Sequence, residues 1–250
     1  MLLSSFRHSL MLLCCYAASI SADTLYIAAE DSWPPYSDSQ GQGISQQLVR
    51  AALQTAGHDL RIEAMPYARA LTLADYGDAD AAWNVTLDDS TRLRFHFGQQ
   101  PLLRASGYFY YPRGREQSYQ SLADVPDNTR IAVINNYEYG NTFVAHQARF
   151  QLVRVSTQEQ IIKLLLSGRA EMAIMFDRVA DYTMQQTATQ GQLSRGALNH
   201  VSDIYLAFNK SKASSLRYAR DLDRGLAEIR ASGRYDDILR QSYQHDLTGQ

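Results

Sequence analysis

The chain has 250 residues, with 24 Lys and Arg against 26 Asp and Glu, a formal net charge of −2. With no basic stripe or polybasic tail, this balance argues against a nucleic-acid partner. The two cysteines, Cys14 and Cys15, both lie near the N-terminus, so a chain processed after residue 22 would have neither disulfides nor thiolate metal sites.

Residues 1–22 read as an export signal. Arg7 and His8 give a short basic start, Ser9 to Ala18 is apolar or small, and Ser19-Ile20-Ser21-Ala22 offers a small-residue cleavage site. The apolar run is too short to span a bilayer, and no later stretch approaches a span. The expectation is an exported protein with a cleaved signal peptide, placed in a bacterial periplasm. Leu13 in front of Cys14 argues against a lipid anchor. The remainder is long enough for one large or two modest domains.

In chain order, Thr24 to Ala29 predicts a first strand. It runs into Trp33-Pro34-Pro35-Tyr36, where the prolines exclude both helix and ladder. Ile44 to Ala56 predicts a helix closed by Gly57, Leu60 to Ala64 a strand, Tyr67 to Tyr76 a helix, and Asp80 to Val85 a third strand. Arg94 to Phe97 reads as a short segment leading to Pro101. Gly107 to Tyr111 is an aromatic strand broken at Pro112. A second series follows: strand 130–134, helix 139–149, strand 151–155, helix 157–166, strand 171–175 and helix 177–186. A strand over 204–208 and helices over 215–231 and 234–243 complete the chain.

One motif occurs twice. Leu71 to Trp83 and Leu164 to Ile174 each carry a leucine-rich helix end, a glycine, two spacers, an acid and an apolar run. Gly77 and Gly168 fit the left-handed residue past a helix end, and the apolar runs fit strands buried on both faces. Two β-α-β-α-β units predict an α/β fold of two Rossmann-like lobes joined by two crossings, near Tyr110 and Val201. The expected division is 23–110 with 202–250 for lobe 1 and 111–201 for lobe 2.

These segments, in this order, resemble the extracellular solute-binding protein family 3, the type II periplasmic binding proteins of polar amino acid transport. The likeness rests on Trp33-Pro34-Pro35-Tyr36, Pro66-Tyr67-Ala68-Arg69-Ala70, Gly77 to Trp83, Thr91-Arg92 with Phe95-His96-Phe97, Ser121 to Val125, Arg130 to Val133, Gly168-Arg169-Ala170-Glu171 and Gly233-Arg234-Tyr235. It implies two lobes that close on a small ligand such as an amino acid or related carboxylate. The implied partner is an inner-membrane ABC permease, or else a sensor receptor. It also implies a monomer that is a binding protein and not an enzyme, with no cofactor and no metal. An exported dehydratase of the cyclohexadienyl type is the enzymatic alternative on the same fold.

Capture of an amino acid requires an arginine fork or backbone N–H groups for the carboxylate, a carboxylate for the ammonium, and aromatic walls. Strand C-termini are where open α/β sheets bind ligands. The resemblance implies Arg92 as the carboxylate fork, one residue beyond the position that falls on Thr91, with Arg69 as a second candidate. It implies Asp177 as the ammonium partner, one residue beyond Phe176, and Glu30 as the acid of lobe 1. Trp33, Tyr36 and Trp83 are candidate walls, although the two beside prolines could equally be structural. Asn84 and Thr86 follow the third strand. Asn136 and Tyr137 open the first helix of lobe 2, whose N–H groups suit an anion.

Overall fold

The computed structural model describes residues 23–248. The proposed export signal lies outside the described residues. The chain folds around one mixed sheet flanked by helices. The first unit is β1 (Thr24–Glu30), α1 (Ile44–Gln54), β2 (Asp59–Met65), α2 (Tyr67–Tyr76) and β3 (Ala81–Thr86), followed by α3 (Asp89–Arg94) and β4 (Phe95–Phe97). The long strand β5 (Leu103–Pro112) leads into the second unit of β6 (Arg130–Ile134), α4 (Asn141–His146), β7 (Gln151–Val155), α5 (Gln158–Leu166), β8 (Met172–Phe176) and α6 (Asp177–Gln186). The chain returns through β9 (Leu193–Asn209) and ends in α7 (Ser215–Ala231) and α8 (Arg234–Thr248).

The sheet order is β2-β1-β3-β9-β5-β8-β6-β7, with β4 also on β9. Each unit pairs its own strands in parallel, β1 with β2 and β3, and β6 with β7 and β8. Strands β5 and β9 run antiparallel from Leu103↔Ile204 to Pro112↔Leu193, with register shifts around Tyr108. Beyond Ile204, β9 pairs with β3. The two units therefore share one sheet, joined through a pair of hydrogen-bonded strands.

Strand alternation sorts the core into layers. Leu25, Ile27 and Ala29 pack with Leu48, Leu222 and Leu226 beneath α1 and α7. Ala28 points the other way, onto Leu71 and Ala74 of α2. In the second unit, Ala132 and Ile134 meet Ile161 and Leu165 of α5, while Ile131 and Val133 meet Phe143 of α4. Burial on both faces is what the continuous apolar runs require.

The repeated glycines do what their positions demand. Gly77 (φ 85°) closes α2 in the left-handed conformation, and Gly168 (φ 71°) does so just past α5. The carbonyls of Ala74 and Asp75 at the end of α2 accept from Asn209 Nδ2 at 2.7 and 3.0 Å. Helix α5 opens on a reciprocal capping box between Thr157 and Gln160.

Two expectations differ from the structure, and one helix was not expected. The last strand begins at Leu193 instead of 204, because its ladder with β5 overrides the low strand propensity of Gly196, Asn199 and Asp203. The helix expected over 139–149 starts at Asn141, since Gly140 at φ 83° breaks it, and its last residues form a 3₁₀ turn. Residues 89–94 form a helix that lacks apolar periodicity and depends on the Asp88–Thr91 capping box.

Candidate functional site

The C-terminal ends of β1, β3, β6 and β8 converge on one cleft between the units. Glu30 ends β1 and is 2 % exposed. Behind it, Ser37 Oγ donates to the Glu30 carbonyl and accepts from Trp83 Nε1 at 3.1 Å. Trp33 and Ser37 pair through their backbones. The proline loop is thus bolted to the strand end that carries the acid.

Opposite lies the β6–α4 loop, residues 135–140. Tyr137 donates its hydroxyl to Glu30 Oε1. Glu138 Oε2 accepts from the Tyr67 hydroxyl at 2.7 Å. Each unit therefore offers one acid and one tyrosine, and each tyrosine satisfies the acid of the other unit. The rings of Tyr67 and Tyr137 meet edge to face at 4.9 Å. Tyr139 OH accepts from the Ile134 amide at 2.8 Å and fixes the loop to its strand.

Phe176, at the end of β8, forms the floor. It stands edge-on to Trp33 at 5.2 Å and to His200 at 5.3 Å. His200, on β9, lies directly over Gly107 of β5. A Cβ at position 107 would sit 2.3 Å from His200 Cε1. Asn199 Nδ2 donates to His200 Nδ1 at 2.8 Å, which leaves the proton of the neutral ring on Nε2. That Nε2 is buried without a partner, as is Trp33 Nε1.

Burial governs the electrostatics. Glu30 is raised well above the usual carboxylate range by desolvation; the Asn84 amide opposes the shift and the charges of Asp31 and Glu138 add to it. Glu138 is pushed up to about 8, again first by burial, with the Tyr67 hydroxyl opposing and Asp88 reinforcing. Burial and Glu138 raise Tyr67 well above its ordinary value. Burial pushes His200 down to about 4. Near neutral pH the unliganded site is thus rich in protonated acids and a neutral imidazole.

The cleft brings together Glu30, Trp33, Asn84 and Tyr137 among the expected residues. Trp33 also stacks on Tyr36 at 4.4 Å. Trp83 is fully buried behind the loop. Asn84, at φ 64°, accepts from Ser45 Oγ at 2.6 Å. Thr86 is buried at the start of the turn into α3, and its carbonyl accepts from Thr91 Oγ1. Asn136 is exposed at φ 61°.

The expected charge partners lie elsewhere. Arg92 is exposed on α3, with its carbonyl on Lys210 Nζ, and the buried residue of that turn is Thr91. Arg69 is exposed and its field falls on Tyr26. Asp177 is the first residue of α6, with Phe176 as N-cap; its field falls on Tyr110 and Asp181. The side chain that points from this turn to the cleft is Phe176.

Sequence reasoning missed Glu138, Tyr67 and His200 as cleft residues. Glu138 could have been found as the lone acid in the loop after the first strand of the second unit. His200 had no such signal, since it lies in the unrecognised half of β9. Among the described residues, no group of three His, Cys, Asp or Glu side chains could hold a metal ion, and no helix is long and apolar enough to cross a membrane.

The profile of bacterial extracellular solute-binding proteins, family 3, matches residues 25–245. The chain belongs to this family.

Solved structures with the same fold include the amino acid ABC transporter substrate-binding protein AbpA from Streptococcus pneumoniae, bound to L-arginine. It is 19 % identical over 89 % of this chain and 95 % of its own, with a TM-score of 0.75. A histidine kinase sensor domain similar to periplasmic binding proteins is 16 % identical over 87 % of this chain and 95 % of its own, TM-score 0.75. The ancestral amino acid-binding protein AncCDT-1, described as a precursor of cyclohexadienyl dehydratase, is 15 % identical over 87 % and 94 %, TM-score 0.72. No curated protein matches the chain. For this family 3 protein the shared property is the fold: two α/β lobes of the type II periplasmic binding class.

Proposed function

We propose that this protein captures a small, nitrogen-bearing polar solute of amino acid size in the cleft between its lobes. The observation that carries this reading is the pair of acids, Glu30 and Glu138, that face each other across the cleft among aromatic rings. On this reading residues 23–110 with 202–250 form one lobe and 111–201 the other, and they close on the ligand by a hinge. The protein is exported by residues 1–22, acts in the periplasm as a monomer, and hands its solute to an inner-membrane ABC permease. The fold it shares with a kinase sensor domain supports a sensor receptor as the alternative partner.

A thermal-shift screen against amino acids, amines, opines and dicarboxylates tests capture. A ligand at 100 times its Kd stabilises by about 2.7 kcal/mol. A panel in which no solute moves the melting curve rejects the proposal.

An enzymatic reading has one observation in its favour. Glu138, held near 8, is a protonated acid at neutral pH beside a buried tyrosine, as general acid catalysis requires. Incubation with prephenate and arogenate decides it: no phenylpyruvate and no phenylalanine means no dehydratase.

A further inference from the structure

The charge of the cleft has one sign. The titratable groups facing Glu30 and Glu138 are Asp31 after β1, Tyr67 on α2, Asp88 at the start of α3, and Tyr137 and Tyr139 of the β6–α4 loop. Any charge that these groups take on is negative. The arginines whose field reaches the cluster are Arg94 and Arg154. Arg94 is bound to Asp75 at 2.9 Å and lies over the Phe95 ring, and Arg154 is exposed on β7. His200 is neutral. A ligand carboxylate would enter beside Glu30 and Glu138 without an arginine fork to receive it.

An ammonium or guanidinium is the complement of this site. It offers N–H donors and no acceptor. In the unliganded cleft, the hydroxyls of Tyr137 and Tyr67 occupy the two acids and stand where such donors would bind. The Tyr67, Tyr137, Trp33 and Phe176 rings, in edge-to-face and tilted contact with one another, wall the place. The unpartnered Trp33 Nε1 and His200 Nε2 can serve a neutral oxygen or stay dry against the ligand's apolar part.

Resting on the solute-capture reading, we propose that the cleft takes a small organic cation without a carboxylate, an aliphatic amine or guanidine, anchored by Glu30 and Glu138. Binding draws the protons off the two acids, so affinity rises with pH and protons are released. A carboxylate-bearing ligand would favour the protonated acids and weaken as pH rises.

The experiment is isothermal titration of the purified protein at pH 6 and pH 8 with three matched pairs: agmatine and arginine, cadaverine and lysine, putrescine and ornithine. The expected result is at least tenfold tighter binding of the decarboxylated member in at least one pair, tightening from pH 6 to 8. Glu138→Gln should weaken that ligand at least tenfold, and Glu30→Gln provides the same test should the first variant fold poorly. The proposal is overturned if the amino acid binds as tightly or tighter in every pair that binds, or if all three pairs are silent. If amino acids or other solutes of the screening panel then still bind, capture stands and the cation specificity falls. Silence across the whole panel removes both.

Discussion

Substituting Gly107 by alanine gives the sharpest test of how β5 and β9 meet at the cleft. In a strand, Gly→Ala by itself restricts the unfolded chain and stabilises by about 0.4–1 kcal/mol where the backbone permits it. Here the new Cβ would lie 2.3 Å from His200 Cε1 and 2.7 Å from Nδ1. The ring must retreat by roughly an ångström to restore ordinary contact. It is held by Asn199 and flanked by Tyr139 and Phe176, so retreat disturbs each of those contacts. Overpacking of this kind costs about 1–3 kcal/mol, which reverses the sign of the backbone effect and leaves Gly107→Ala destabilising by about 1–2 kcal/mol. Urea denaturation monitored by tryptophan fluorescence measures it, with a constant m-value as the check on two-state behaviour. The double variant with His200→Ala removes the obstacle. In that background Gly107→Ala should be neutral or stabilising, with a coupling energy of about 1–3 kcal/mol. A single Gly107→Ala variant as stable as the parent would refute the geometry.

Three further predictions follow from the charged groups. Glu138 titrates near 8 when folded against an ordinary 4.5, so its proton stabilises the folded state; the contribution is complete below about pH 4.5 and is lost as pH rises through about 8. The unliganded protein should lose roughly 5 kcal/mol at most across that window, measured by urea midpoints, and Glu138→Gln should reduce the slope to what Glu30 still contributes; a parent whose stability rises over this range contradicts the raised Glu138. Arg92→Ala should leave ligand affinity within about twofold by fluorescence titration, since Arg92 faces solvent; a loss equivalent to a charged hydrogen bond, about 1.5–3 kcal/mol, would return it to the site. His58→Ala should lower stability by about 2–3 kcal/mol in thermal unfolding, because it leaves a cavity and takes from the buried Asp221 a partner at 3.0 Å; an unchanged melting temperature would show the pair to be dispensable.

The sheet units were legible because strands β1, β3, β6 and β8 are short apolar runs, and Gly77 and Gly168 mark the entries to β3 and β8. The proline loop with Trp33, and Glu30 at a strand end, were readable for the same reason. The N-terminal half of β9 was not, since Leu193 to Asp203 becomes strand only by pairing with β5. Arg92 and Asp177 rested on a resemblance that sits one residue out of register. At such turns one position decides which side chain turns inward: Thr91 turns into the cap of α3, onto Asp88 and the Thr86 carbonyl, and Phe176 turns onto Trp33. Glu138 and Tyr67 were hard to see because their pairing joins positions 71 residues apart.

The pairing of Pro112 with Leu193 has a consequence for how the chain assembles. The residues between them supply β6, β7 and β8 to the sheet, with β8 laid on β5, so the second unit completes its strands from within one continuous segment. The first unit enjoys no such closure. Strand β3 must wait for residues 204–208, which arrive only after the whole insert has been traversed. Loop entropy therefore orders the two halves: the insert can condense early, and the half that carries Glu30 and Trp33 is sealed last.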